Sequence, residues 1–127
     1  MHSLIYAPLL ALLLFGGHAI ADYGLQSAYV AEHKVSKPQN PDWWVTLGAH
    51  SLIHGVFVTV VAVGFLLVTG RSEFLPHAAL LGWSETALHF VIDHSKGKGQ
   101  FSYRADQVLH YGCKLLWMGI ILFAFQA

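Results

Sequence analysis

Long apolar runs separated by short polar clusters organise this chain. Leu9 to Phe15 anchors a first apolar segment at about residues 3–25, and Val56 to Val68 completes a second at about 43–69. A third, at about 74–94, is the least apolar, and a fourth at about 105–125 closes on Leu115 to Phe125. A helix needs roughly 20 apolar residues to cross a bilayer. The predicted fold is therefore all-α, a bundle of four transmembrane helices forming one integral membrane domain over residues 1–127. Breakers fall between the runs. In Lys37 to Asp42, Asn40 is the expected cap of the second helix and Pro41 its first turn. Thr69 to Ser72 reads as a tight turn, with Ser72 and Glu73 opening the third helix, and Ser95 to Gln100 reads as a basic loop. Residues Gln26 to Lys34 are more polar and read as an interfacial continuation of the first helix. Trp43 and Trp44 suit a membrane–water interface.

Polar residues inside the apolar segments recur at four-residue spacing. His18 precedes Asp22, His50 precedes His54, Glu85 precedes His89 and then Asp93, and Asp106 precedes His110. In a helix, i and i+4 share a face, so each predicted helix carries a stripe of ligand-type side chains. In an up-and-down bundle the stripes close the first and third helices and open the second and fourth, which puts all four at one depth. The alternation also suggests two pseudo-repeated helical hairpins. Ionisable groups at such positions are costly and mark function.

Composition agrees with a membrane setting. Apolar residues make up 55% and charged residues 11%, against about 25% charged in soluble domains, and mean hydropathy is +0.52. Net charge is zero, so nothing favours nucleic acid. The single cysteine, Cys113, forms no zinc motif and reads as a small apolar residue. Lys34, Lys37, Lys96, Lys98 and Arg104 fall in linkers on one side, opposite Arg71. The excess of basic residues on cytoplasmic loops then places these linkers in the cytoplasm and both termini outside, in what would be a bacterial inner membrane. Ala19-x-Ala21 after an apolar run also resembles a signal-peptidase site. The segment before it lacks Lys and Arg, so a retained first helix is expected.

Imidazole with carboxylate is the ligand set for zinc, iron or manganese, and bundle cores build such sites from facing helices. The candidate ligands are His18, Asp22, His50, His54, Glu85, His89, Asp93, Asp106 and His110. They suffice for one or two divalent ions. Asp22 and Asp93 are the candidate catalytic bases for a metal-activated water attacking a lipid or another amphiphile. Two other expectations stand beside this one: a site that binds or carries metal or protons without chemistry, and polar residues that only join helices. Gln26, Lys96, Gln107 and Lys114 form a second tier, with Lys114 expected to be paired. His2, His33, His77 and His94 are expected to be exposed or interfacial. Gly16, Gly17, Gly48, Gly55 and Gly64 offer close-packing positions, within the bundle or in a homo-oligomer.

The ordered set resembles the small bacterial and phage membrane proteins called domain of unknown function 3307. The matching residues are His18-x-x-x-Asp22 with Gln26, Ala31-Glu32-His33-Lys34, His50-x-x-x-His54, His89-x-x-x-Asp93 with Lys96, and Asp106-Gln107-x-x-His110. Glu85 stands outside that pattern. The resemblance implies a retained first helix and a bacterial or phage origin, and it implies no particular reaction. A looser similarity of pattern exists to membrane-bound metal-dependent hydrolases.

Overall fold

The computed structural model describes residues 2–126, and side chains from Leu4 to Phe125. It is all-helical, with no strand among the described residues. A 3-10 turn leads into α1 (Ala7–Ala19), followed by a π-helical turn Ile20–Gly24 and a short α2 (Ala28–His33). Three long helices complete the fold: α3 (Trp43–Val68), α4 (Leu75–Gly97) and α5 (Tyr103–Phe123). α1 packs on α3 and α5, and α4 packs on the same two, so the four close into a ring. Consecutive long helices run in opposite directions, as their connections require.

Leu4–Gly24 and Trp43–Val68 are long and apolar enough to cross a membrane. α4 and α5 do not meet that measure of composition, because Glu85, Asp93, Asp106 and Lys114 lie within them. Those four side chains point inward and are buried. Outward faces are apolar on every long helix: Leu12 on α1, Val56 and Val60 on α3, Leu80 and Val91 on α4, Val108 and Leu116 on α5 are all exposed. The interior is divided along its length. One end is an apolar core around Leu10, Leu14, Ala62, Leu66, Leu81 and Ile121. The other end is polar.

The tightest crossing joins α3 to α4. A Cβ on Gly55 would overlap Thr86 Oγ1 and the Gly82 carbonyl, and one on Gly82 would overlap Thr59 Oγ1 and come within 2.7 Å of the Gly55 carbonyl oxygen. Only glycine admits backbones this close. Thr59 and Thr86 donate their hydroxyls to the carbonyls of Gly55 and Gly82 at 2.9 and 3.0 Å, which satisfies both groups. Gly17 is also close-packed, against Phe57, whereas Gly16, Gly48 and Gly64 face open space.

Several local expectations change. The first helix does not continue into Gln26–Lys34: it ends in the π-turn, closed by Leu25 N–H on the Ile20 carbonyl at 2.8 Å, and α2 restarts with Ser27 as its cap. Asn40 does not cap α3. Its amide instead donates to the carbonyls of His33 and Val35, tying the linker back on α2, and Asp42 precedes the helix. The third helix runs past His94 to Gly97, which puts Lys96 on its last turn. Ser102 caps α5, its hydroxyl accepting from Ala105 N–H at 3.2 Å.

Candidate metal centre

The polar end of the bundle gathers every one of the nine predicted ligands. The C-terminal turns of α1 and α4 and the N-terminal turns of α3 and α5 meet there, so each i,i+4 stripe presents its residues to the same space. His18, His50, His54, Glu85, His89, Asp93, Asp106 and His110 are buried, and the Asp22 side chain is 11% exposed. The π-turn carries Asp22. Such wide turns recur at functional sites.

Three groupings bring candidate ligand atoms within 4.8 Å of one another. The first contains Asp22, His50, His54 and His89, the second His18, His89 and His110, and the third Asp93, Asp106 and His110. They differ in what already satisfies them. In the third, Lys34 Nζ lies 2.6 Å from Asp93 Oδ2, and Lys96 Nζ lies 3.5 Å from Asp106 Oδ2. His110 Nε2 completes it at 3.0 Å from Asp93 Oδ1. Ammonium groups thus already supply positive charge there.

Among the described residues, no lysine or arginine forms an ion pair with Asp22, the carboxylate of the first grouping. Asp22 Oδ1 lies 3.3 Å from His50 Nε2, 3.1 Å from His54 Nε2 and 3.8 Å from His89 Nε2. All four of these atoms are buried without a hydrogen-bond partner. Imidazole nitrogens and carboxylate oxygens bind a small ion at about 2.0–2.2 Å, which puts neighbouring ligands about 3.4 Å apart around a tetrahedral centre. The three spacings from Asp22 Oδ1 fall around that value, and all the ligand atoms lie within 4.8 Å of one another. A divalent cation therefore fits the donor atoms that protein partners leave unsatisfied.

The surrounding groups orient this set. Gln107 donates its amide to Asp22 Oδ2 at 3.3 Å and to Asp106 Oδ2 at 3.1 Å. His18 Nε2 lies 3.5 Å from Asp22 Oδ2. Glu85 stands apart from all three groupings. Lys114 donates to its Oε1, and Trp117 Nε1 donates to its Oε2 at 2.6 Å. From there Glu85 Oε1 sits 3.7 Å from His89 Nδ1, beyond hydrogen-bond reach.

Lys34 is the site residue that the pattern of stripes does not reveal. It follows the last residue of α2, belongs to no stripe, and in the sequence reads as a charge that sets orientation. Its signal is its place in the Ala31-Glu32-His33-Lys34 run. Outside the centre, His77 is exposed, while His33 stacks on Tyr29 and His94 on Trp43. Trp44 is exposed. The His2 side chain lies outside the described residues.

The profile of the family described as protein of unknown function (DUF3307) matches residues 9–126. The chain belongs to that family. No curated protein matches it, and neither does any solved structure.

Proposed function

We propose that this protein spans the membrane with all four long helices and is a metal-dependent hydrolase acting on a lipid or another amphiphile. The observation that carries the metal is the set of four buried, unpartnered donor atoms on Asp22, His50, His54 and His89. The observation that favours four spans is the inversion of polarity. Every long helix exposes leucine or valine, while α4 and α5 bury Glu85, Asp93, Asp106 and Lys114, the reverse of a water-soluble bundle. The basic residues Lys34, Lys37, Lys96, Lys98 and Arg104 belong to the polar end, so that end faces the cytoplasm of a bacterial cell.

The roles follow from position. Asp22, His50, His54 and His89 hold one zinc, iron or manganese ion, whose contribution is to acidify water and polarise an ester oxygen. Asp93 Oδ2 lies 3.7 Å from both His50 Nε2 and His89 Nε2, which makes Asp93 the base beside that grouping. It takes a proton from water as the water oxygen bonds to the ester centre. It returns the proton to the departing alcohol as the ester bond breaks. Asp22, also a candidate base, is better placed as a ligand because three imidazoles surround its Oδ1. An apolar groove of about 300 Å³ between α2 and α3, walled by Leu25, Tyr29, Val30, Val45 and Ile53, has His50 in its lining. This suits a substrate with an apolar tail.

Elemental analysis of the detergent-purified protein beside a His50→Ala/His89→Ala variant tests the reading. One equivalent of metal, lost in the variant, supports it. A metal-free, well-folded wild-type protein sinks it. One observation favours a second reading, a carrier of protons or metal without chemistry. The imidazoles form a continuous series: His18 Nδ1 lies 3.3 Å from His54 Nδ1, and the His54–His89 and His89–His110 ring centroids are 3.6 and 4.1 Å apart. Proton flux into vesicles with no lipid product would select that reading.

A further inference from the structure

A second cavity adjoins the candidate metal centre, of about 210 Å³, between α2 and the last turn of α4. Gln26, Lys34, Val35, Asp93, Lys96 and Gly97 line it. We propose that this cavity binds a phosphate group, and that the substrate of the hydrolase is therefore a phosphate ester. The proposal rests on the metal-hydrolase reading for the reaction, and on the cavity itself for the phosphate.

The hydrogen-bonding capacity of the walls sets the chemistry of the ligand. Asp93, the one acid, is already engaged on both oxygens, by His110 and by Lys34. Each lysine ammonium has three N–H donors. Lys34 directs one to Asp93. Lys96 faces Asp106 only at 3.5 Å and lies 5.1 Å from the centre of the Tyr103 ring. The remaining N–H groups call for an acceptor. Gln26 Oε1 is buried and unpartnered. In that orientation it can accept from a protonated phosphate oxygen, and with the amide turned over its NH₂ can donate to an unprotonated one. Phosphate supplies both kinds of oxygen. Two ammonium groups and an amide arriving from three segments of the chain also suit a tetrahedral anion better than a planar carboxylate. The α4 carbonyls of His94, Ser95 and Lys96 do not oppose it, because they accept from the N–H groups of Lys98, Gln100 and Gly99.

Charge balance points the same way. Within the polar end, Asp22, Glu85, Asp93 and Asp106 face Lys34, Lys96 and Lys114, which leaves one negative charge when the histidines are neutral. A single divalent cation turns this into one positive charge. An anion beside Lys34 and Lys96 would offset that charge. Asp93 borders both spaces, so a phosphate seated beside Lys34 and Lys96 holds its ester bond near the proposed base.

The experiment is calorimetric titration of inorganic phosphate into the purified full-length protein, with metal content measured on the same samples. The wild type should bind phosphate. Lys34→Gln and Lys96→Gln should each weaken binding roughly tenfold or more, the loss of one charge-assisted contact. Lys34→Arg and Lys96→Arg should retain most of it, which separates lost charge from lost folding. Lys98→Gln, at an exposed position outside the cavity, should change nothing. Competition identifies the source of the phosphate: displacement by phosphatidic acid in phosphatidylcholine bicelles, and not by glycerol phosphate, indicates a lipid headgroup, and displacement by both indicates a soluble ester. No binding to metal-loaded wild type, or binding indifferent to both Lys→Gln changes, overturns the proposal and leaves the metal intact. Lysine-dependent phosphate binding by protein that holds no metal would instead sustain the phosphate cavity and refute the hydrolase.

Discussion

Lys114→Met should be among the most destabilising single changes in this protein, and a second substitution should largely undo it. Lys114 and Glu85 are each 1% exposed, and Lys114 donates to Glu85 Oε1. Removing the lysine leaves a buried carboxylate with only the Trp117 N–H at 2.6 Å as a close donor. Breaking a buried pair from one side costs about 3–5 kcal/mol, and Glu85→Gln alone should cost a similar amount by stranding the ammonium. The double variant has no buried charge at this position. The amide oxygen of the introduced glutamine can still accept from Trp117, and the methionine side chain fills much of the lysine volume. Replacing a buried pair by neutral groups of similar size is often close to neutral, so the double variant should lie within about 1 kcal/mol of wild type. The coupling energy should therefore be about 5 kcal/mol or more. Equilibrium unfolding in mixed micelles, followed by tryptophan fluorescence, measures all four corners of the cycle. Additive losses, with coupling below about 0.5 kcal/mol, would refute the pairing and the neutrality argument together.

Gly82→Ala should cost about 1–3 kcal/mol through overpacking at the α3–α4 crossing, whereas Gly48→Ala, which meets nothing within 4 Å, should cost nothing measurable in the same unfolding assay. Asp93→Asn should abolish lipid hydrolysis while the protein keeps its metal and its fold, with a lowered melting temperature from the broken Lys34 pair; an active variant would remove Asp93 from the base role. Asp22→Asn, which takes a charged ligand from among three imidazoles, should lower metal affinity by at least about tenfold in a competitive chelator titration. Ser102→Ala should cost about 1 kcal/mol by removing the cap of α5, and a change below about 0.2 kcal/mol would show that the cap is replaced by water.

The bundle and the convergence of its polar residues were legible in the sequence because both follow from helical period. Once His18, His50, His89 and Asp106 each had a partner four residues away, the face was fixed, and up-and-down topology fixed the depth. What escaped depends on contacts between distant segments. Lys34 reaches Asp93 across 59 residues from a position with no periodic signal. Gly82 is flanked at four-residue spacing by Ala78 and Thr86, yet its close approach becomes visible only opposite Gly55. Asn40 has the residue type and position of a helix cap, but the two carbonyls at the end of α2 compete for its amide. The π-turn at Ile20–Gly24 has no residue signature of its own. Glu85 matched the ligand spacing, yet Lys114 and Trp117 occupy both of its oxygens, a competition that spacing does not encode.

The inward charges of α4 and α5 also bear on how the chain is made. A lone Asp or Lys at the centre of a helix adds about 2.5–3.5 kcal/mol to the cost of leaving the translocon. On the membrane reading, Glu85 and Asp93 would penalise α4, and Lys114 and Asp106 would penalise α5, if each helix were released alone. The Glu85–Lys114 bond removes much of this cost, but only when both helices are present together. Partitioning into lipid should therefore proceed pairwise late in synthesis, with α4 retained beside the channel until α5 emerges. The order of biogenesis would then be written in the same side chains that assemble the site.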